Sequence, residues 1–201
     1  MPVLEIVIAN SSDAYRKEGS KVVDPAAAIV AKTEGHLASY SGDEIQDKNH
    51  YYLVVAWETH EHHLALINDK EVYPGLGAAL FQGITEIHQM QHIKVDDGYP
   101  ALESPIAEFT FYTLRPETDR AKFAELVAEF YNVASNLEGV AKGGQAPFIE
   151  DERKWAVLLG FKSLEEEKRL ATDPKITQLA SQLSALADAT TTHVVFRKHD
   201  K

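Results

Sequence analysis

The spacing of apolar and polar positions divides the chain into two series of elements that repeat. Val3–Ala9 and Ile106–Leu114 are short runs rich in β-branched and aromatic residues, and each predicts a strand. After the first run, Val23, Ala26, Ile29 and Val30 form an apolar stripe that predicts a helix over roughly Asp24–Glu34. After the second, Phe123, Leu126, Val127, Phe130 and Val133 recur at helical spacing. Gly35 and Gly139 follow these helices and are expected at C′, where a left-handed residue ends a helix. Two strands and a broken helix come next in each series, and a last strand closes it. Asp69 and Asp173 are expected to cap the second piece of that helix, with Pro174 in its first turn.

The two series also align in sequence. A shift of 104 positions lays Glu34–Val95 over Glu138–His199 without a gap, so that "YYLVVAWETHE" meets "WAVLLGFKSLE". A shift of 103 lays "PVLEIVIA" over "PIAEFTFY" and puts Glu5 over Glu108. Identities are few, but apolar positions, turns and caps agree throughout, which marks an internal duplication. The segment Asp96–Pro105, "DDGYPALESP", reads as the linker and divides the chain into repeats 1–98 and 99–201. Each repeat has the order β-α-β-β-α-β, the ferredoxin-like unit with helices on one face of an antiparallel sheet. One such sheet leaves its other face bare. Two copies can cover each other, and joined edges would close an internal, pseudo-dimeric α+β barrel.

Composition narrows the function. The chain has 201 residues, 44% of them hydrophobic and 25% charged, which is ordinary for a globular protein. Its net charge of −11, with no basic block, argues against nucleic acid or an anionic membrane as partner. The absence of cysteine excludes disulfides, thiolate metal sites and a cysteine nucleophile. The N-terminus lacks the basic and apolar regions of a signal peptide, and no stretch reaches the roughly 20 apolar residues of a membrane span. A cytoplasmic protein, either a monomeric pseudo-dimer or a homodimer, is expected.

The stretch "VVAWETHEHHLALI", with "HQMQHIKV" behind it, places a Trp-ended strand, an acidic turn into a helix and a His-bearing last strand in one unit. In this the chain resembles the dimeric α+β barrel superfamily, as a tandem-repeat member of its antibiotic-biosynthesis-monooxygenase-like branch. The resemblance implies a ligand cavity between sheet and helices. It also implies that Asn10, Tyr40 and Trp57 orient a small, apolar aromatic or polyketide-like molecule there. Relatives that degrade haem carry a histidine well along the second helix, and "YPGLGAALFQG" has none.

Seven of the nine histidines lie in the first repeat. At the positions of His36, His88 and His92 the second repeat has Val140, Thr192 and Phe196. That asymmetry points to a polar pocket in the first repeat and a scaffold role for the second. His88, Met90 and His92 share a strand face by period two, and alignment of Met90 with Val194 and of His92 with Phe196 predicts a core face. His36 opens the second strand, and Tyr40 is expected on its face. A buried imidazole stays neutral near pH 7, so His36 and His92 are the candidate general bases. His88 and Met90 are expected to line the same cavity. His60, His62 and His63 begin a helix and are expected to be more exposed than His36 and His92. "HEHH" lacks the spacing of a metalloprotease motif, and neither a metal site nor any cofactor is expected. Two readings follow: a cofactor-independent monooxygenase or cyclase/isomerase using histidine as base, and a non-catalytic or stress-responsive small-molecule binder.

Overall fold

The computed structural model describes residues 1–96 and 99–199; of the expected linker, Asp97 and Gly98, and with them the 98/99 boundary, lie outside the described residues. The described residues form two compact units. Unit 1 comprises Met1–His92 with Val194–Lys201, and unit 2 comprises Ile93–His193.

In unit 1 the strands are β1 (Val3–Ser11), β2 (His36–Glu44), β3 (His50–Trp57) and β4 (Ile84–Lys94, as far as His92), in the order β4-β1-β3-β2. The free edge of β2 is taken by the end of β8 (Ala187–His199), with Glu44 opposite Val194 and Ser39 opposite His199. Antiparallel registers put Val3 opposite Trp57 and His36 opposite Trp57. A bulge between His36 and Ala38 inserts one extra residue into β2. It reverses the alternation, so His36 and Ser39 share a face and Tyr40 points to the other. Period-two counting had placed Tyr40 with His36, and the bulge overturns that.

The helical layer of unit 1 is more broken than the apolar stripe suggests. It has α1 (Asp13–Glu18), a 3₁₀ turn (Gly19–Val23) and α2 (Asp24–Val30). Ser12 caps α1 through Tyr15 N–H, a local start that the stripe did not reveal. The second pair is α3 (His60–Asn68), capped by Thr59, and α4 (Tyr73–Leu80). Asp69 does not cap α4. It ends α3, and its carboxylate accepts from Glu71 and Val72 N–H in the connecting turn.

Unit 2 repeats the order as β8-β5-β7-β6, with β5 (Ile106–Leu114), β6 (Ala141–Pro147) and β7 (Lys154–Phe161). Ile106 lies opposite Phe161 as Val3 does Trp57, and β6 also bulges, between Lys142 and Gly144. A single helix, α5 (Arg120–Ser135), replaces the three short pieces, with Asp119 accepting from Ala121 and Lys122 N–H as N-cap. The pair α6 (Leu164–Ala171) and α7 (Pro174–Leu186) follows, and Asp173 caps α7 as expected. Gly35 and Gly139 have φ of 76° and 89°, but they sit in the turns entering β2 and β6, several residues beyond the helix ends. Each lies under the helix that follows the central strand. A Cβ on Gly35 would fall 2.2 Å from the His62 ring, and one on Gly139 would fall 2.3 Å from the Glu166 carboxylate.

The core of each unit is the layer between sheet and helices. Val55, Trp57, Ala26, Val30, Leu66 and Leu76 form it in unit 1. Phe123, Val127, Trp155, Val157, Leu159 and Leu183 are its counterparts in unit 2. Among the described residues, no helix is long and apolar enough to cross a membrane.

Candidate active site

A cavity of about 130 Å³ lies in unit 1 between the sheet and α2, α3 and α4. Its floor is the alternate face of β3, Tyr51, Leu53, Val55 and Trp57, which sequence alternation picked out as buried, together with Glu5 and Val7 of β1. Phe81, Ile87 and Met90 line it and are also exposed, at 52%, 38% and 39%, so it opens to the surface along an apolar lip. Met90 was expected in the core. It lies instead on the exposed lip, which is still a place where a ligand can touch it.

Glu5, Trp57, His63 and His92 converge at one end of this cavity, and all four are buried. Trp57 Nε1 donates to Glu5 Oε2 at 2.9 Å, and His63 Nε2 lies 3.4 Å from the same oxygen. His63 Nδ1 and His92 Nε2 share a hydrogen bond of 2.7 Å. The His63 ring stacks on Trp57, with centroids 5.2 Å apart and planes 18° from parallel. Burial pushes the Glu5 carboxyl up to about 7, the Trp57 N–H working weakly the other way. Burial, reinforced by His92 and His60, pushes His63 down to about 3, so its imidazole is neutral at physiological pH. The four side chains thus lie in a buried row, hydrogen-bonded at Trp57–Glu5 and at His63–His92 and joined between Glu5 and His63 by the longer 3.4 Å contact, with Glu5, Trp57 and His63 facing the cavity.

The other expected site residues separate. His36 is buried and shares a 2.8 Å hydrogen bond with Ser39, its ring 6.1 Å from Trp57, but it is not on the cavity wall. Tyr40 is fully buried on the opposite face, edge-on to Phe196, with Lys198 over its ring. Asn10 donates to Glu86 at 3.4 Å in a shallow surface depression. His88 is exposed and pairs its ring with His50. Trp57, His92 and Met90 are therefore brought to one place, and His36, Tyr40, Asn10 and His88 are not.

Two functional candidates escaped sequence reasoning. His63 was expected to be more exposed than His36, and it is more buried, at 3% against 8%. Of the apolar residues Leu64, Leu66 and Ile67 that follow the histidines, Leu64 is 40% exposed, and the inward stripe is His63–Leu66. Glu5 had one signal, its alignment with Glu108, the only other carboxylate in the middle of a first strand. At the cavity's other end, His199 shares a 2.7 Å hydrogen bond with Ser41, and the buried Tyr51 hydroxyl lies on the wall beside it.

No family model and no curated protein matches the chain. Solved structures do. A candidate monooxygenase from Fusobacterium nucleatum superposes with a TM-score of 0.78 at 14% identity, over 100% of this chain and 94% of the other. A second, from Lactobacillus acidophilus, gives 0.69 at 12% identity, over 97% and 93%. An anthrone oxidase-like protein gives 0.59 at 15% identity, over 100% and 93%. At such identities the likeness is one of fold, and it spans both repeats. The chain thus has the α+β fold of these proteins, two ferredoxin-like repeats in one polypeptide.

Proposed function

We propose that the chain is a cofactor-independent monooxygenase of a small, apolar aromatic or polyketide-like molecule, with its active site in the unit 1 cavity. One observation carries the reading: a buried carboxyl, Glu5, faces an apolar cavity with its ionisation near 7, the Trp57 N–H donating to it and a His63 ring nitrogen 3.4 Å away. A general base works best when its pKa lies near the working pH. Glu5 meets that condition; His63, held neutral, is the weaker base and serves to pass and orient the proton with His92. Histidine as sole base gives way here to a carboxylate supported by histidines.

The chemistry balances without a prosthetic group. Glu5 takes a proton from an activated CH₂ of the substrate, and the carbanion transfers its electron pair to dioxygen to form a peroxide anion. The proton returns to that anion from Glu5. Loss of water from the hydroperoxide then leaves a carbonyl, so CH₂ and O₂ become C=O and H₂O. The apolar walls disfavour charge in the ground state, and the Trp57 and His63 N–H groups help hold it as it develops. The names of the structural neighbours, two candidate monooxygenases and an anthrone oxidase-like protein, support the same class.

Anthrone is a suitable probe, because its central CH₂ is acidic and its oxidation product is coloured. Dioxygen uptake and anthraquinone formation should exceed the buffer rate, and Glu5→Gln should lower the rate by about 100-fold or more. Turnover by Glu5→Gln equal to the parent's would refute the role of Glu5. Ligand binding with no turnover in either protein would favour the non-catalytic binder.

A further inference from the structure

Unit 2 has a polar cluster of its own at the corresponding place. Glu108 of β5 occupies the repeat position of Glu5, and Glu167 of α6 that of His63, three residues before the buried Leu170 as His63 is before Leu66. The third member again comes from the last strand: His193, buried at 8%. His193 Nε2 lies 3.4 Å from Glu108 Oε2 and 3.3 Å from Glu167 Oε2. One donor atom from each of the three groups falls within 4.8 Å of the other two. Glu108 and Glu167 both line a cavity of about 390 Å³ whose other walls are largely apolar, Phe130, Leu159 and Phe161 among them.

These separations are wrong for one purpose and right for another. A charge-assisted N–H···O bond closes to about 2.7–2.9 Å, and a single Nε2–H cannot serve two carboxylates well. Neighbouring ligands on a tetrahedral ion with bonds near 2.0–2.2 Å stand about 3.4 Å apart. An outer support is present too. Thr110 Oγ1 lies 3.5 Å from Glu108 Oε1 and 3.0 Å from Thr191 Oγ1, on the oxygen turned away from His193.

Charge points the same way. Two ionised carboxylates around one imidazolium leave one negative charge uncompensated in a mostly buried site. A divalent cation on a neutral imidazole would bring the balance to zero and release the imidazole's proton.

We propose that unit 2 binds one first-row divalent cation through His193 Nε2, Glu108 and Glu167, with its open positions facing the adjoining cavity. One nitrogen and two carboxylate oxygens suit Zn²⁺ or Mn²⁺ over Mg²⁺, which prefers oxygen and water alone. An apolar molecule carrying a carbonyl or hydroxyl oxygen is the ligand class that such an ion would hold in this cavity. The site is separate from the proton-transfer chain of unit 1 and does not rest on it. The unit 1 trio is the poorer ligand set: His63 and His92 already bond to each other at 2.7 Å, and Glu5 already accepts from Trp57.

The test is calorimetric titration of chelator-stripped, full-length protein with Zn²⁺, with Mg²⁺ as the comparison. One Zn²⁺ per chain is expected, with release of about one proton at neutral pH and a higher melting temperature. Glu108→Gln and Glu167→Gln, confirmed folded by circular dichroism, should each weaken binding by at least about tenfold. Glu5→Gln should leave it unchanged. Failure of the folded parent to bind Zn²⁺ stoichiometrically would overturn the proposal. So would parent-like affinity in both unit 2 variants, or loss of binding in Glu5→Gln, which would put the ion elsewhere.

Discussion

Each unit gathers three polar groups between its sheet and helices, two of them at matching repeat positions (Glu5 with Glu108, His63 with Glu167) and the third a last-strand histidine at a different position, and the two clusters have opposite electrostatics. In unit 1, burial drives Glu5 and His63 toward neutrality, the carboxyl raised to about 7 and the imidazole lowered to about 3, and His63 bonds to His92. In unit 2, Glu108, Glu167 and His193 form a cluster in which the imidazole is driven toward its cation. Two changes accompany the difference: the helix exchange of His63 for Glu167, and a last-strand histidine that stands at His92 in one repeat and at His193, aligned with Gln89, in the other. His63 can bond to a second imidazole and stay uncharged, whereas Glu167 adds a carboxylate that only a cation can balance. The lesson is that a duplicated scaffold preserves where the first strand and the helix send a polar group into the core, and the residues placed there and on the last strand then decide the sign of the site.

The comparison breaks most visibly if the last-strand histidines are exchanged for phenylalanine. His193→Phe leaves Glu108 and Glu167 facing each other without their cation and should cost about 3–5 kcal/mol. Because the fold raises His193, this contribution is complete below the ordinary imidazole pKa of 6.5 and is lost as pH rises through the folded value. Urea denaturation at pH 6 should therefore separate the parent and His193→Phe more widely than at pH 9. His92→Phe removes the partner of His63 Nδ1 and should cost about 1–3 kcal/mol, less the packing that the ring restores. Equal losses in the two variants would remove the contrast.

Glu5→Gln sharpens it next. Between its ordinary 4.5 and about 7, the folded protein holds a proton on Glu5 that the unfolded chain has released, so the parent loses stability as pH rises through that window. Glutamine keeps an acceptor for Trp57 and does not ionise. Relative to Glu5→Gln, the parent should lose up to about 3 kcal/mol between pH 4 and pH 8, measured by denaturant midpoints. His63 contributes with the opposite sign, its stabilisation being lost as pH falls from 6.5 toward about 3, but it is common to both proteins and cancels. A pH-independent difference would mean that Glu5 is not held near 7.

The smallest effect concerns the paired turn glycines. Both have positive φ, so alanine at either position carries about 1–2 kcal/mol of strain. The new Cβ at Gly35 meets the His62 ring, whereas at Gly139 it meets the end of the flexible Glu166 side chain. Gly35→Ala should therefore lower the melting temperature further than Gly139→Ala. The reverse order would show that the two turns are not built alike.

Much of this architecture is legible from residue pattern, and its failures have identifiable causes. Ile106–Leu114 is a strand along its whole expected length because β-branched and aromatic residues run without a break. The face of β3 that carries Trp57 follows from alternation, since β3 is free of bulges along β1. Tyr40 fell on the wrong face because a bulge leaves no mark in composition, and one inserted residue reverses everything after it. His63 was misplaced because the apolar residues Leu64, Leu66 and Ile67 do not fix one inward stripe, and a nine-residue helix offers few turns to set the phase. Glu5 and His63 meet only through tertiary packing, 58 positions apart in "EIVIA" and "HEHHL", and the coincidence of Glu5 with Glu108 was the one trace of it.

The placement of Val194–His199 in unit 1 bears on how the protein is made. His199 lies on the wall of the unit 1 cavity, hydrogen-bonded to Ser41 and 3.2 Å from Asp24. Most of unit 1 is synthesised first, and chains generally begin to fold from that end. Yet the edge of β2 remains without its neighbour, and the cavity without that wall, until the ribosome has translated as far as His199. For that interval the nascent chain presents an unpaired strand edge next to an open apolar pocket, the kind of surface that recruits chaperones or a second chain. Ribosome-stalled chains ending before Val194 should thus be protease-sensitive in β2, and chains extending past His199 should not.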